Sequence, residues 1–600
     1  QLNPLYEAKY LNSFSRGETT NLTYNLGLNW EVIEGLRVRS TFSISNVQDK
    51  AEVYRSPLSA DFFDYTSVTD GEETNDGYNL ENIYKRGTYT MTNSSQFDYY
   101  GSINVSYTKS FGRHLVQGIV GGELKETNSE SDVYKTVGFL DDPLGYPSYA
   151  VQFDSYTGPS GSSSISRSAG MFANFNYSWD NRYLIDLTGR IDGSSNFASK
   201  QRSAPFWSAG VRWNIYNEKF MKTHGWFENL AVRANIGTVG NQNFQLSQIM
   251  TLYNFLKMYD GVMGAEIMSI ANPELKWQTT LNRNIGLEFS LLQGLVNLDF
   301  NYYSNITKNN LTDIAILPST GFSTYKANMG KVRNQGYEFS LSITPIKKNG
   351  WIVNAFVNGA HNKNKLLNIS DALRDYNEVI KENQTAHLNY AGYTQLERIF
   401  LFEEGQSLNS IFAVRSMGID PGTGQEIFVT ADGVQTFQWN AADQVVVGNT
   451  EPTLKGYFGL NVDYKRWSFG ANFQYSFGAD RYNKTLYEKI EGGNFAQNAD
   501  RRALTQRWTK PGDVAKYRGY GNTSQLKPTS RFVQKDDFLS MTSARLSYTL
   551  NANDLQSLGI SLLKFTLSTN DLFYVSTIKQ ERGLSYPFAR TFNLGLSVSF

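Results

Sequence analysis

The side chains able to do covalent or acid–base chemistry are sparse in this chain. Its 600 residues include no cysteine and only four histidines, His114, His224, His361 and His387, far apart in sequence. That excludes a thiolate nucleophile, a disulfide framework and a thiolate-held zinc or iron–sulfur site, and it argues against a histidine-built metal centre. Carboxylates stand in adjacent pairs at Asp141-Asp142, Glu403-Glu404 and Asp536-Asp537. Neighbours on a strand point to opposite faces, so such pairs do not form a general acid and base unless the fold brings them together. They read as solvated loop positions. Asp420-Pro-Gly-Thr-Gly-Gln-Glu426 is acidic and turn-rich but does not match the ligand spacing of a calcium loop. No phosphate loop, H-E-x-x-H helix, G-x-S-x-G elbow or S-x-x-K set stands in a persuasive context. The expectation is a protein with no catalytic residue, no cofactor and no metal, and not an enzyme.

The residues that could bind are aromatic. Tyr, Phe and Trp number 37, 38 and 10, beside 50 Gly and 14 Pro. Aromatic faces and amides recur in the stretches between periodic segments, notably Tyr253, Phe255 and Tyr259, then Phe322 and Tyr325. Such sets suit sugars or peptides in a concave site; the plain alternative is a loop packed on itself. A second set lies near the ends of the periodic segments: Trp30, Trp179, Tyr183, Trp213, Trp277, Trp351 and Trp467. Amphipathic rings favour the headgroup layer, so these are expected to form membrane girdles. The final residue, Phe600, caps an alternating strand, as the assembly signal of outer-membrane proteins does. Lys+Arg and Asp+Glu are both 56, so the net charge is zero. A nucleic-acid binder would show a basic excess.

The elements that must carry these residues have a period of two. Phe592, Leu594, Leu596, Val598 and Phe600 alternate with polar or small residues, as do Leu22, Tyr24, Leu26, Leu28 and Trp30, and the run Trp467, Phe469, Ala471, Phe473, Tyr475 and Phe477. Alternation puts one apolar stripe and one polar stripe on each strand. Mean hydropathy is −0.42, low because only one face is apolar. Many segments exceed the roughly 9–11 residues that cross a bilayer at a tilt, whereas soluble strands usually run about 5–6. Links also alternate. Short ones fall at Glu31–Gly35, Ser110–Arg113, Asp180–Asn181, Leu292–Gly294, Ile346–Gly350 and Lys465–Arg466. Long ones fall at about 50–88, 131–162, 240–275, 309–329, 366–452 and 479–532. This pattern predicts an all-β, transmembrane antiparallel β-barrel with short periplasmic turns and long extracellular loops; a soluble sandwich has no reason to gather its long loops at one end. About 18 strands result, the first two at 5–16 and 19–30, with boundaries uncertain by about 2–4 residues. No secretory leader opens the chain, which suggests that it was removed or that the chain starts inside a longer protein.

Segments at Arg190-Ile-Asp-Gly-Ser-Ser-Asn-Phe197, Ala204-Pro-Phe-Trp-Ser-Ala-Gly-Val-Arg-Trp213, Arg233-Ala-Asn-Ile-Gly-Thr-Val-Gly-Asn-Gln242, Asn272-Pro-Glu-Leu-Lys-Trp277, Asn328-Met-Gly-Lys-Val-Arg-Asn-Gln-Gly336, Gly448-Asn-Thr-Glu-Pro452 and Tyr586-Pro-Phe-Ala-Arg-Thr591 form a set. Together they resemble one family, the SusC-like TonB-dependent transporters of Bacteroidota. The likeness runs in order along nearly the whole chain. It implies a barrel of 22 strands enclosing a plug, so residues 1–600 would be the C-terminal part of such a barrel, lacking the plug, the TonB-binding segment and about four strands. It further implies active import of an oligomeric nutrient, a glycan or peptide, under a SusD-like surface lipoprotein. TonB would act through a plug segment outside this sequence. Partners would then be that lipoprotein on the extracellular face, TonB, outer-membrane lipid and the oligosaccharide or peptide, with no nucleic acid. Two other readings stay open: a passive porin, and a barrel scaffold subunit of a larger envelope complex.

Overall fold

The computed structural model describes residues 4–62, 86–142, 145–154, 159–197, 202–221, 226–241, 251–259, 262–269, 272, 275–315, 322, 324–328, 330–371, 373–375, 377–378, 402–493, 500–522, 526–551, 555, 559–578 and 589–600. Two compact units divide the chain. The first holds Gln1–Phe111, Leu115–Asn176 and Thr188–Phe206; the second holds Gly112–His114, Tyr177–Leu187 and Trp207–Phe600.

Among the described residues, seventeen long strands form the frame. They are β1 (Phe14–Ile33), β2 (Leu36–Arg55), β3 (Thr88–Phe111), β4 (His114–Val137), β5 (Ser160–Trp179), β6 (Tyr183–Ser194), β7 (Ser203–Asn214), β8 (Phe227–Asn241), β9 (Gln278–Leu291), β10 (Val296–Lys308), β11 (Gly330–Lys348), β12 (Trp351–Ile369), β13 (Leu454–Tyr464), β14 (Trp467–Phe477), β15 (Phe538–Asn551), β16 (Leu562–Asn570) and β17 (Phe592–Ser599). In the first unit β1 pairs with β2 from Phe14↔Tyr54 to Ile33↔Leu36, and β2 with β3 from Leu36↔Tyr107 to Arg55↔Thr88. In the second, each strand from β8 to β17 pairs antiparallel with the next, and β7 joins β8 over Ser208–Asn214. The all-β antiparallel expectation therefore stands.

Its first boundary does not. Of the strand expected at 5–16, residues 5–13 are not a strand and 14–16 belong to β1. Pro4–Tyr10 is a short helix, α1, opened by a proline whose missing N–H costs nothing at a helix start. The segment expected as a separate strand at 19–30 is the middle of the 20-residue β1. Gly17, which falls in the gap between those two expected strands, pairs with Ala51 in an unbroken ladder. A partner of equal length, β2, overrides the local glycine signal.

The short links are built by turn chemistry. At Asp180-Asn181 and at Asn349-Gly350 both residues take left-handed φ, 53° and 52°, then 55° and 77°. Such turns match the right-handed twist of the flanking strands. The long links are shorter than read from sequence because strands continue as paired ladders past the apolar stripe: β2 reaches Arg55, β4 Val137 and β12 Ile369. Two long links also carry hairpins of their own, Leu252–Tyr259 with Val262–Ser269 and Leu311–Ala315 with Thr324–Asn328.

Gly35 closes the β1–β2 turn at φ 83°, and a Cβ there would stand 2.2 Å from the Thr108 carbonyl oxygen. We predict that Gly35→Ala destabilises the fold by at least about 1–2 kcal/mol, the left-handed penalty alone. The temperature at which the folded protein loses its compact gel mobility in detergent should fall; an unchanged temperature would contradict the assigned turn.

Candidate functional site

Strand parity sorts the side chains into an apolar face and a polar face. In the second unit, the polar face of β7–β10 carries a charge ladder. Arg212 lies opposite Arg233, Arg233 opposite Gly286, and Gly286 opposite Asn301. Glu288 and Asp299 face each other one row away. The Arg212 guanidinium grips Glu288 with two bonds of 2.8 and 2.6 Å. Arg233 donates to the same carboxylate at 2.6 Å and to Asn301 Oδ1 at 2.7 Å, and meets Asp299 at 3.3 Å. Two guanidiniums and two carboxylates leave no net charge, and forked Arg–carboxylate geometry ties strands laterally.

Beyond it the polar face turns to amides. Tyr303 donates to Asn362, Asn364 donates to Asn334, and the Leu408 N–H of the following link donates to Asn364 at 2.8 Å. On β12–β14, Asn354 faces Asn461, and Asn358 faces Tyr457, which faces Gln474. Tyr457 is half-exposed in this amide wall. The first unit repeats the logic: Arg190 binds Asp192 at 2.6 Å and also pairs with Glu123, while Asp98 accepts from Thr127 and Gln96. These walls can hydrogen-bond a polar filling without imposing a strong field.

The two longest links, 370–453 and 478–537, fold onto each other. The first builds a small sheet from Ser410–Ile419, Glu426–Val429, Gln435–Thr436 and Gln444–Asn449. Arg531 of the second link reaches Glu426 of the first at 2.9 Å and Glu491 of its own at 2.5 Å. Arg518 adds a 2.9 Å contact to Glu491, and Thr529 Oγ1 donates to Glu426 at 2.7 Å. Both carboxylates are buried; Glu491's side chain has no exposure. Arg507 donates to the carbonyls of Ala503, Ile490 and Glu491. Burial pulls the Arg531 guanidinium's pKa down, but bonds and charge from Glu491 and Glu426 outweigh it and hold the group well above its ordinary value. Burial pushes the Tyr487 phenol beside them up to about 12. Backbone contacts finish the join. Ser416 N–H donates to Ser530 Oγ, Trp508 Nε1 to the Pro421 carbonyl and Trp439 Nε1 to the Pro528 carbonyl.

The aromatic expectations sort by strand end. Trp30 lies beside the short Gly35 turn and is exposed. Trp179, Tyr183 and Trp213 stack in a row, with ring centroids 5.5 and 6.3 Å apart. Trp351 stacks on Tyr464 at 4.1 Å, and Trp467 sits 4.7 Å from Tyr548. Tyr464 and Tyr548 were missed, although both lie within a few residues of short turns on the apolar parity. Trp277 departs from the girdle expectation. It is 5% exposed, at the long-link end of β9, where its carbonyl accepts from Asn309. A buried ring cannot present itself to lipid. Phe600 is 91% exposed. Of the loop aromatics, Tyr253 is exposed on its hairpin and Phe322 is partly buried. Phe255, Tyr259 and Tyr325 lie on strands, but their side chains fall outside the described residues.

The paired carboxylates go separate ways. Asp142 accepts from the Asn12 backbone and side chain, Asp536 pairs with Arg481, and Asp537 accepts from the Gly478 N–H. Glu404 sits below its ordinary pKa because the Ile369 N–H, and then Arg374, bind its charged form. The Glu426–Arg531–Glu491 cluster was invisible in sequence, since its members stand 105 and 40 residues apart.

Comparison with known proteins agrees with the geometry. A family model described as TonB dependent receptor-like, beta-barrel matches residues 4–396. TonB-dependent receptor P39 of Formosa agariphila is 26% identical over 502 residues, covering 77% of this chain and 48% of that protein. TonB-dependent receptor SusC of Bacteroides thetaiotaomicron is 26% identical over 429 residues, covering 68% of this chain and 40% of that protein. The solved RagAB peptide transporter superposes with a TM-score of 0.83 at 23% identity, covering 99% of this chain and 63% of that one, a likeness of fold. The chain spans about half the length of the curated relatives it matches. Antiparallel strands of alternating polarity, links that alternate short and long, and a family match over most of the chain lead to one conclusion: the chain belongs to the TonB-dependent receptor-like β-barrel family of the bacterial outer membrane.

Proposed function

We propose that this chain is the barrel wall of a TonB-dependent importer of an oligomeric nutrient, a glycan or a peptide. A SusD-like lipoprotein covers its extracellular end. The observation that carries the reading is the family match over residues 4–396, joined to relatives that are themselves named TonB-dependent receptors. The walls described above fit it. A self-neutral polar face gives a plug something to hydrogen-bond and little net charge to hold it in place. The plug and the TonB-binding segment belong to a portion of a longer polypeptide that this sequence does not include, as do the strands that close the sheet. The joined links 370–453 and 478–537 form the surface on which the lipoprotein seats.

Uptake by cells carrying the native gene tests the import reading. Accumulation of the nutrient should collapse when TonB is deleted or the proton gradient is dissipated. Uptake that persists at the same rate in both conditions would mean a passive pore. The seating surface has its own test. Arg531→Ala leaves buried Glu426 with no ion-pair partner among the described residues and Glu491 with Arg518 alone, a loss of roughly 3–5 kcal/mol. Trypsin should then cut both long links of the full-length protein, and the co-purifying lipoprotein should fall by about tenfold or more, the equivalent of 1.4 kcal/mol or above. Cleavage confined to one link, or undiminished co-purification, would contradict the joined surface.

A further inference from the structure

The short-turn end of β5–β7 holds a carboxylate in an unexpected place. The link after β7 folds back on the Asp180-Asn181 turn, because Asn214 and Asn217 both donate their side-chain amides to the Asn181 carbonyl at 2.8 Å. This sets Glu218 beneath the aromatic row. One carboxylate oxygen, Oε1, accepts from the Tyr183 hydroxyl at 2.7 Å and from the Trp213 indole N–H at 3.2 Å. The other meets Arg182 at 3.4 Å, and Arg182 pairs with Asp180 at 2.9 Å and lies over the Trp179 ring at 5.7 Å. Glu218 is 9% exposed, while Tyr183 and Trp213 remain 42% and 40% exposed.

Rings at a membrane interface ordinarily direct their polar tips to headgroups and water while their bodies sit among acyl chains. Here the protein itself satisfies both tips. Only the apolar ring surfaces are left for lipid, and the ring positions are set by one carboxylate. We propose that Glu218 is a positioning residue that fixes Tyr183 and Trp213 at the phospholipid headgroup boundary of the periplasmic leaflet, so that this side of the barrel is held at a defined depth. The occupant of the exposed aromatic strip is phospholipid. The strip stands beside a short turn, on the apolar parity that carries Ile185, Leu187 and Val211 along the same strands.

Full-length protein in phosphatidylcholine vesicles provides the test, with bromines placed on the acyl chains at shallow or deep positions. The emission of Trp213 is isolated by difference against Trp213→Phe. In the wild type, quenching should be strongest with shallow bromines. Glu218→Ala should raise the shallow-to-deep quenching ratio by roughly twofold or more as the freed indole turns to acceptors at the headgroups. Glu218→Gln keeps a carbonyl acceptor for both tips and should hold the ratio near the wild-type value. Retained heat-modifiable mobility shows that each variant is folded, and if the alanine variant does not fold, the wild-type depth profile and the glutamine ratio still decide. An unchanged ratio in folded Glu218→Ala would overturn the proposal. So would an equal rise in the glutamine variant, or a wild-type Trp213 that lipid bromines do not quench, the result expected if a protein partner covers the strip.

Discussion

The constraint on which the structure depends is that lipid offers no hydrogen bonds. Every backbone N–H and C=O at membrane depth must find a partner within the protein, so only a fully paired sheet closed on itself can span. The pairing registers meet this demand strand by strand. β2 bonds to β1 on one side and β3 on the other, and in the second unit the ladder passes without a gap from β8 to β17. Among the described residues, β1 bonds to β2 alone and β17 to β16 alone. An open edge in hydrocarbon leaves unpaired backbone groups worth several kcal/mol each, which is why the proposed function includes closing strands from a longer polypeptide.

Once the backbone is paired, the side-chain faces divide the labour. The outward face carries apolar bulk, and near one end the rings of Trp351 and Tyr464, and of Trp467 and Tyr548, pack in pairs. The inward face must be polar without being sticky. Arg212, Arg233, Glu288 and Asp299 accomplish this by neutralising one another, and the amides of β10–β14 by bonding sideways. The long links solve a different problem. They stand in water, where surface ion pairs contribute little, so the join between 370–453 and 478–537 rests on charges taken out of water and surrounded by partners. Removing one partner costs far more than the pair contributes, which makes the join all-or-none.

Much of this was legible in the sequence, for physical reasons that also mark where legibility ends. Side-chain alternation has a period of two in any strand, so Leu22 to Trp30 and Trp467 to Phe477 announced their faces without a structure. Asn349-Gly350 and Asp180-Asn181 announced turns because few other pairs adopt left-handed φ cheaply. Gly17 misled because the same residue also serves within a strand when a long partner holds it. Trp277 misled because nearness to a strand end was weighed without the long link at 240–275 just before it, and at that end its ring is buried. The Glu426–Arg531–Glu491 cluster and the Glu218 clamp were not readable at all. Each joins residues through the folded path of a link, and no local pattern encodes that path.

The most direct test of the account is the intact mass and N-terminal sequence of the native polypeptide in purified outer membrane. The account predicts a mass well above the 67.8 kDa of these 600 residues, with plug and closing strands preceding Gln1 in the same chain. A native mass equal to 67.8 kDa would contradict it, and would mean that another chain completes the sheet.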